Sequence, residues 1–273
     1  MMLRLRSLVP ILVALALPAG AATVRVEPGP GALAHAIAGA AAGDELILAP
    51  GRYDGPVVLD RAITLDGLAA AVVDAHGKGS VITVSGPAVT VRGLEISGSG
   101  SSHETIDSGI RLVKPATGAV IENNRLLGNL YGIDVHGTTD TIVRGNEIVD
   151  HRMNERGNGI YVWNAPGTLI EDNTVRFGRD GIFVNTSHRG IFRGNLFRDL
   201  RFGIHYMYAN NSEVTGNVSI GNHLGYALMF SDRIRVENNL SLRDREHGLM
   251  LNYANNADIR GNLVRGGTKK CLF

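Results

Sequence analysis

The chain has 273 residues, of which 35 are glycine, 9 are proline, one is cysteine and 44% are hydrophobic. Glycine at this level without a Gly-X-Y period excludes collagen, and the apolar fraction excludes a disordered chain. A single cysteine excludes an intrachain disulfide, and a formal net charge of +1 gives no general reason to bind nucleic acid. The composition predicts a turn-rich, all-β chain with no nucleic-acid partner.

The N-terminal residues have the order of a secretory signal peptide. Arg4 and Arg6 form a basic start, an apolar run of ten residues follows, and Ala19–Ala21 supplies small residues for cleavage. Without this segment the chain carries 25 basic and 26 acidic residues, so it is nearly neutral. We expect a periplasmic protein. Its predicted divisions are a signal peptide (1–21), an N-terminal cap segment (22–43) and a repeat domain (44–273).

A short helix is predicted directly before the repeats. Leu33, Ile37 and Ala38 recur at helical spacing within an alanine-rich segment, 31–42. A helix at this position is expected to cover the open edge of the first coil, whose strand would otherwise expose unpaired backbone groups.

Two unrelated residue types repeat with one period, which indicates a solenoid. Glycine followed by an apolar residue recurs at intervals of 22 or 23 residues, with one interval of 27, and an asparagine series keeps almost the same intervals. The glycines are Gly109, Gly132, Gly159, Gly181, Gly203, Gly225 and Gly248. The asparagines are Asn124, Asn146, Asn173, Asn195, Asn217, Asn239 and Asn262. With short β-branched runs between the turns, this period predicts a right-handed parallel β-helix with three short strands per coil.

The asparagine series has a structural explanation. Asparagine tolerates left-handed backbone and can bond to its own turn. Stacked at the same corner of every coil, these side chains are expected to form a ladder, so we assign them a structural role rather than a functional one.

Strand alternation places the residues two and four positions after each glycine on the outside of the coils. The first outer column reads Arg111, Asp134, Tyr161, Phe183, His205, Ala227 and Met250. The second outer column reads Val113, His136, Trp163, Asn185, Met207, Met229 and Asn252. Imidazole and thioether are ligands that suit copper(I). The predicted copper-transfer face consists of His205, Met207, Met229 and Met250.

Two alternatives stay open for the outer columns. A flanking segment packed over them would make the methionines and the tryptophan ordinary buried contacts. A protein partner is the other alternative, because aromatic side chains and methionine are enriched at interface centres. The residues predicted to bind a partner are Tyr161, Trp163, Phe183 and His136.

A column of charged residues precedes the glycines by two positions. Its members are Arg179, Arg201, His223 and Glu246. We interpret this column as a solvated face with ion pairs between coils. Polysaccharide-cleaving β-helices need paired carboxylates, or cations with Ca²⁺, and this chain offers isolated acids such as Asp134, which is expected to be exposed. A polyuronate lyase or epimerase is therefore the alternative to a binding function.

The 27-residue unit carries a five-residue insertion within 151–158. A longer turn in a regular solenoid is often a binding feature. It can also be a tolerated surface insertion, since lengthening a loop costs little. Both interpretations stay open.

Four segments resemble one family, the NosD family of nitrous-oxide reductase maturation proteins. The segments are 202–217 (FGIHYMYANNSEVTGN), 221–230 (GNHLGYALMF), 244–255 (DREHGLMLNYAN) and 266–271 (GGTKKC). The resemblance extends over the rest of the chain with less specific motifs. Family members continue past Phe273, so we expect the chain to be a fragment that stops in mid-coil, with Cys271 at the next glycine position.

The resemblance implies a non-catalytic periplasmic accessory protein. Its implied partners are membrane ABC transporter subunits, a copper-chaperone lipoprotein and nitrous-oxide reductase, whose copper-sulfide centre such proteins help to assemble. It implies a docking or copper hand-over platform with no catalytic residues and no firmly bound cofactor. Copper(I), where carried, is expected to bind transiently at the predicted copper-transfer face.

Overall fold

Most coils of the chain contain three short parallel strands, as the computed structural model shows for residues 20–150, 156–267 and 269–273. Equivalent strands of successive coils pair in parallel and in register. The right-handed parallel β-helix predicted from the repeat is confirmed, with about 11 coils. The predicted signal peptide lies outside the described residues up to residue 19, and the insertion within 151–158 is described only from Arg156.

The elements follow one another in short steps along the chain. In chain order they are β1 (Thr23–Val26), α1 (Ala32–Gly39), β2 (Glu45–Leu48), β3 (Gly51–Asp54), β4 (Val57–Leu59), β5 (Thr64–Asp74), β6 (Ile82–Val84), β7 (Thr90–Ser97), β8 (Ser108–Leu112), β9 (Val120–Glu122), β10 (Arg125–Leu127), β11 (Tyr131–His136), β12 (Ile142–Arg144), β13 (Glu147–Val149), β14 (Ile160–Trp163), β15 (Leu169–Glu171), β16 (Thr174–Arg176), β17 (Asp180–Asn185), β18 (Ile191–Arg193), β19 (Leu196–Arg198), β20 (Phe202–Met207), β21 (Ser212–Thr215), β22 (Val218–Ile220), β23 (Leu224–Asp232), β24 (Ile234–Glu237), β25 (Leu240–Leu242), β26 (His247–Asn255), β27 (Asp258–Arg260), β28 (Leu263–Arg265) and β29 (Lys270–Leu272).

One row of strands forms a ten-stranded sheet in the order β4-β6-β8-β11-β14-β17-β20-β23-β26-β29. The other two rows form a single 19-stranded sheet, because β5 and β7 are long enough to run through both rows. The register between these two strands shifts between Asp66 and Ala71, where Leu68 and Ala69 take left-handed backbone to turn the corner. The outer columns lie on the ten-stranded sheet.

The predicted helix is confirmed as α1, inside the expected segment 31–42. It begins after Gly31, which has a left-handed φ of 66°, and it buries Leu33 and Ile37 against the first coils. The strand β1 precedes the helix and pairs with β2, so the segment before residue 44 contains a solenoid strand as well as the cap. No helix in the described part of the chain has the length and apolar character needed to span a bilayer.

The residues that follow each glycine alternate between core and surface. Ile182 and Val184 on β17 are fully buried, and the equivalent residues of the neighbouring coils are buried with them. Glycine is required at the start of this strand because the coils touch there. A Cβ on Gly181 would lie 2.3 Å from Phe197 Cδ1 and 2.5 Å from the carbonyl oxygen of Gly203.

The seven asparagines form a continuous ladder along the core. Asn195 Oδ1 accepts bonds from the backbone N–H and the side-chain amide of Asn173, both at 3.0 Å. Its own amide donates to Asn217 Oδ1 at 3.0 Å and to the Ile170 carbonyl at 3.0 Å. The left-handed residue at this corner is the one before each asparagine, such as Gly194, and not the asparagine as expected. That conformation turns the chain and lets the following amide point inward, where it bridges two coils.

Candidate functional site

The predicted copper ligands share one patch on the outer face of β20, β23 and β26. The register pairs His205 with Ala227 and then Ala227 with Met250 in the first outer column. Met207 pairs with Met229 in the second outer column. Neighbours in a column are about 4.8 Å apart, and positions two residues apart on one strand are about 6.8 Å apart. The structure therefore brings all four residues predicted from the repeat into one patch.

Ala227 lies at the centre of this patch. The imidazole of His205 precedes it in the column, Met250 follows it, and Met229 lies two residues further along its own strand. Ala227 is fully buried, whereas the three surrounding side chains are partly exposed. Because alanine carries only a methyl group, its side chain extends less far from the sheet than the larger side chains that flank it.

The ring of His205 is held from several sides. Its Nδ1 lies 3.1 Å from Asp180 Oδ2, and its ring packs on Phe183 with centroids 4.7 Å apart and against the edge of Phe202 at 4.9 Å. Arg201 bonds the same carboxylate through two nitrogens, at 2.6 and 2.8 Å. Only 12% of the His205 side chain is exposed. The imidazole is therefore fixed in position before any ligand arrives.

The charge of Asp180 decides which nitrogen of His205 is free. Burial alone would raise the pKa of Asp180, but the hydrogen bonds from His205 and Arg201, with their charges, outweigh burial and hold the pKa below its usual value. The ionised carboxylate accepts the Nδ1–H of the imidazole, so Nε2 is the ring nitrogen left for a metal. That Nε2 is buried and has no hydrogen-bond partner among the described residues. Metal-ligating histidines have this arrangement, with the second ring nitrogen anchored on a carboxylate.

Oxygen and nitrogen ligands alone do not make a metal site here. Within the described ranges, no group of three or more His, Cys, Asp and Glu side chains is placed to hold a metal ion. On the outer face, the register places the thioethers of Met207, Met229 and Met250 beside His205 as further soft ligands. A single imidazole with thioethers is a soft, neutral donor set that fits copper(I) rather than a hard divalent cation.

The residues predicted to bind a partner stack on one another between coils. Tyr161 lies over Phe183 with ring centroids 5.4 Å apart and an interplanar angle of 6°. His136 lies over Trp163 at 4.3 Å and 25°. The ring faces are therefore used within the solenoid, and a partner would meet mainly the ring edges.

Asp134 is buried, although strand alternation predicts an exposed side chain at this position. Its neighbours in the first outer column, Arg111 and Tyr161, are much larger and cover the short aspartate side chain. Its oxygens lie 3.4 Å from Arg111 Nε and 3.8 Å from His136 Nδ1, and neither oxygen has a hydrogen bond within the described ranges. Burial raises the pKa of Asp134 by more than His136 and Arg111 lower it.

An exposed aromatic stack beside the methionines was missed from the sequence. Tyr208, Phe230 and Tyr253 stack with centroids 5.2 and 5.3 Å apart, and 50%, 38% and 72% of them are exposed. The first two directly follow Met207 and Met229 in the chain. These three residues recur at intervals of 22 and 23, which the sequence shows, but they lie one position beyond the residues assigned to the second outer column.

The support that Asp180 and Arg201 give to His205 was also missed. Arg201 belongs to the column interpreted as a solvated face. The pair joins residues 21 positions apart on adjacent coils, one position off the period, so it becomes visible only with the strand register.

Comparison with known proteins identifies the family. Residues 149–273 match the family model described as "Periplasmic copper-binding protein (NosD)". A "Probable ABC transporter binding protein NosD" from Stutzerimonas stutzeri is 37% identical over 220 residues, which is 80% of this chain and 50% of that protein. The protein of the same name from Pseudomonas aeruginosa PAO1 is 37% identical over 168 residues, 59% of this chain and 38% of its own. Residues 149–273 therefore belong to the NosD family, and the chain as a whole is similar to the two NosD relatives.

The NosD-family match includes the whole predicted copper-transfer face. The chain spans about half the length of the S. stutzeri relative and less of the P. aeruginosa one. Among solved structures, an alginate lyase from Paenibacillus sp. str. FPU-7 is similar with a TM-score of 0.70 and 18% identity, covering 90% of this chain and 98% of that one. At that identity the likeness concerns the β-helix fold alone.

Proposed function

We propose that this chain is part of a periplasmic accessory protein that carries copper(I) as cargo for the copper-sulfide centre of nitrous-oxide reductase. The family description and the names of the two relatives support copper binding and an association with an ABC transporter. The observation that carries the proposal is the buried, unpartnered Nε2 of His205, oriented by Asp180 next to a column of methionines.

The donor set suits a cargo that must leave again. One imidazole and neutral thioethers select a soft monovalent ion and add no charge of their own. The methionines are partly exposed, so a partner's sulfur or nitrogen ligands can approach the ion from the outer face. The protein's contribution is to hold the imidazole lone pair in place and to offer the sulfur atoms. It is a binding function without a catalytic step.

The outer face also suits docking. Tyr208, Phe230 and Tyr253 present exposed rings beside the methionines, and Tyr161 and Trp163 present ring edges on the preceding coils. Aromatic residues and methionine are enriched at the centres of protein interfaces. The proposed partners are the ABC transporter subunits, a copper-chaperone lipoprotein and the reductase itself.

The ligand assignment is tested by anaerobic copper(I) titration of the full-length protein against a chromogenic chelator. The double variant Met207→Leu/Met229→Leu keeps apolar volume and removes both sulfurs, and we expect its affinity to fall by about tenfold or more. Asn185→Leu, in the same column, is the matched control and is expected to retain wild-type affinity. Equal affinities for wild type and the double variant would remove the methionines from the proposed site.

His205→Gln tests the imidazole in the same titration. Glutamine can still donate a hydrogen bond toward Asp180 but has no ring lone pair, so copper(I) affinity is expected to fall. Absence of stoichiometric binding by the wild type would overturn the cargo proposal. Maturation itself is measured by the copper content of reductase produced with wild-type or His205→Gln protein, and equal contents would argue against this role.

A further inference from the structure

A basic groove runs along the corner that precedes the ten-stranded sheet. Its volume is about 460 Å³, and five successive coils each contribute one basic side chain to its wall. These side chains are Arg156, Arg179, Arg201, His223 and Arg245. With coils about 4.8 Å apart, the row of basic side chains extends over about 19 Å along the solenoid axis.

The groove carries more positive than negative charge. Arg156 and Arg179 are exposed and have no carboxylate within 4 Å among the residues that the structure describes. Asp199 is the one acidic residue among the described residues of the lining, while Arg201 and His223 also contact Asp180 and Glu246 beside the groove. The whole chain has a formal net charge of only +1, so this excess is a local feature of the groove. Guanidinium groups bind carboxylates through paired hydrogen bonds, which makes such a row an anion-binding surface.

The groove shares one residue with the support of the copper-transfer face. Arg201 lines the groove and also bonds Asp180, whose carboxylate orients the imidazole of His205. A ligand that contacts Arg201 in the groove would therefore touch the residue whose ion pair with Asp180 supports His205.

We propose that this groove docks an acidic segment of a protein partner in extended conformation. The inference rests on the proposed function, which supplies a protein partner. A single small oxyanion would contact no more than two neighbouring guanidinium groups, and most of the row would stay unused. An extended polypeptide rises about 3.3 Å per residue, so about six residues would match the 19 Å row. Because its side chains alternate, about three of its carboxylates, about 6.8 Å apart, would face the row and pair with its guanidinium groups, which would bring the partner close to His205.

The probe is a fluorescein-labelled hexaglutamate peptide, followed by fluorescence anisotropy with the full-length protein at low salt. The double variant Arg156→Ser/Arg179→Ser removes the two cations that lack a carboxylate and leaves Arg201 and its contact with Asp180 intact. Each exposed pair contributes up to about 1 kcal/mol, so the affinity is expected to fall about tenfold. Arg144→Ser/Arg193→Ser, on the 19-stranded sheet, loses the same charge and is expected to stay within about twofold of wild type.

Each outcome decides the proposal. No peptide binding by the wild type, or equal weakening in both double variants, would overturn it. Tighter binding of inorganic phosphate or of an oligogalacturonate than of hexaglutamate would assign the groove to a small oxyanion or a glycan instead. Copper(I) affinity is measured on the same samples. If the wild type binds the peptide but not copper(I), the proposed cargo function is overturned and the docking proposal is retained. If it binds copper(I) but not the peptide, the docking proposal is overturned and the cargo function is retained.

Discussion

Asp180→Asn isolates what the carboxylate does for the copper-transfer face. In the wild type the carboxylate accepts from His205 Nδ1 at 3.1 Å and from Arg201 at 2.6 and 2.8 Å. The asparagine side chain has the same shape but no charge, and its NH2 group would face His205 or Arg201 at one of the two positions where the carboxylate now accepts. We expect the imidazole to lose its fixed tautomer and Nε2 to be less available to copper(I).

The expected size follows from the burial of the pair. Only 1% of Asp180 and 12% of His205 are exposed, so solvent screens their interaction little. Carboxylate partners of metal-bound histidines change metal affinity by about 10–100-fold, or about 1.4–2.7 kcal/mol. Because 37% of Arg201 is exposed, the loss of its ion pair adds only about 1–2 kcal/mol to the cost in unfolding free energy. The two quantities are measured separately, by copper(I) competition titration and by urea unfolding.

Asp140→Asn, at an exposed site, is the control for these measurements. Unchanged copper(I) affinity in folded Asp180→Asn protein would refute the claim that this carboxylate orients His205. The pH dependence gives a second check. Since the pKa of Asp180 is lowered in the folded state, its stabilising contribution is complete above the unfolded pKa of about 3.9 and is lost as the pH falls through the folded value. The stability difference between wild type and variant should therefore shrink in acid.

Three further predictions concern the ladder, the buried acid and the alternative function. Asn195→Ala leaves several buried partners unbonded and is expected to lower the free energy of unfolding, measured in urea, by about 3–5 kcal/mol. Asn262→Ala, at a more exposed position, is expected to lower it by about 1 kcal/mol. Similar losses in the two variants would contradict the ladder's energetic role. Asp134→Asn should stabilise the protein at pH values above the raised folded pKa of Asp134, and this gain in stability should vanish below about pH 3.9. Thermal unfolding of wild type and variant across this pH range measures the gain. A gain that does not depend on pH would argue against a buried charge. Incubation with polyuronates should give no rise in ultraviolet absorbance, because the chain is proposed to bind and not to cleave; a steady rise would favour the lyase.

The fold was predictable because equivalent positions of successive coils need the same residue types, so the length of a coil appears as a repeat in the sequence. Each coil must place glycine where coils touch and asparagine where amides bridge them, so both residue types recur every 22 or 23 residues. The alternation after each glycine then fixes which side chains point outward. For that reason the grouping of His205 with Met207 and Met229 followed from counting residues alone.

The supports of the site were not predictable in this way. Arg201 reaches Asp180 one position off the period, and the aromatic stack of Tyr208 and Phe230 lies past the strand positions that alternation describes. Asp134 was expected at the surface because strand alternation ignores the size of neighbours in the column. These contacts depend on side-chain lengths and on the exact register between coils.

The sequence by itself determined the repeat, the β-helix and the columns in which chemistry is presented, because each depends only on spacing along the chain. Only the tertiary structure decided which nitrogen of His205 is free and which arginines of the basic groove lack a carboxylate partner among the described residues. Both depend on distances of about 3–4 Å between residues of different coils, where a hydrogen bond or ion pair either forms or does not.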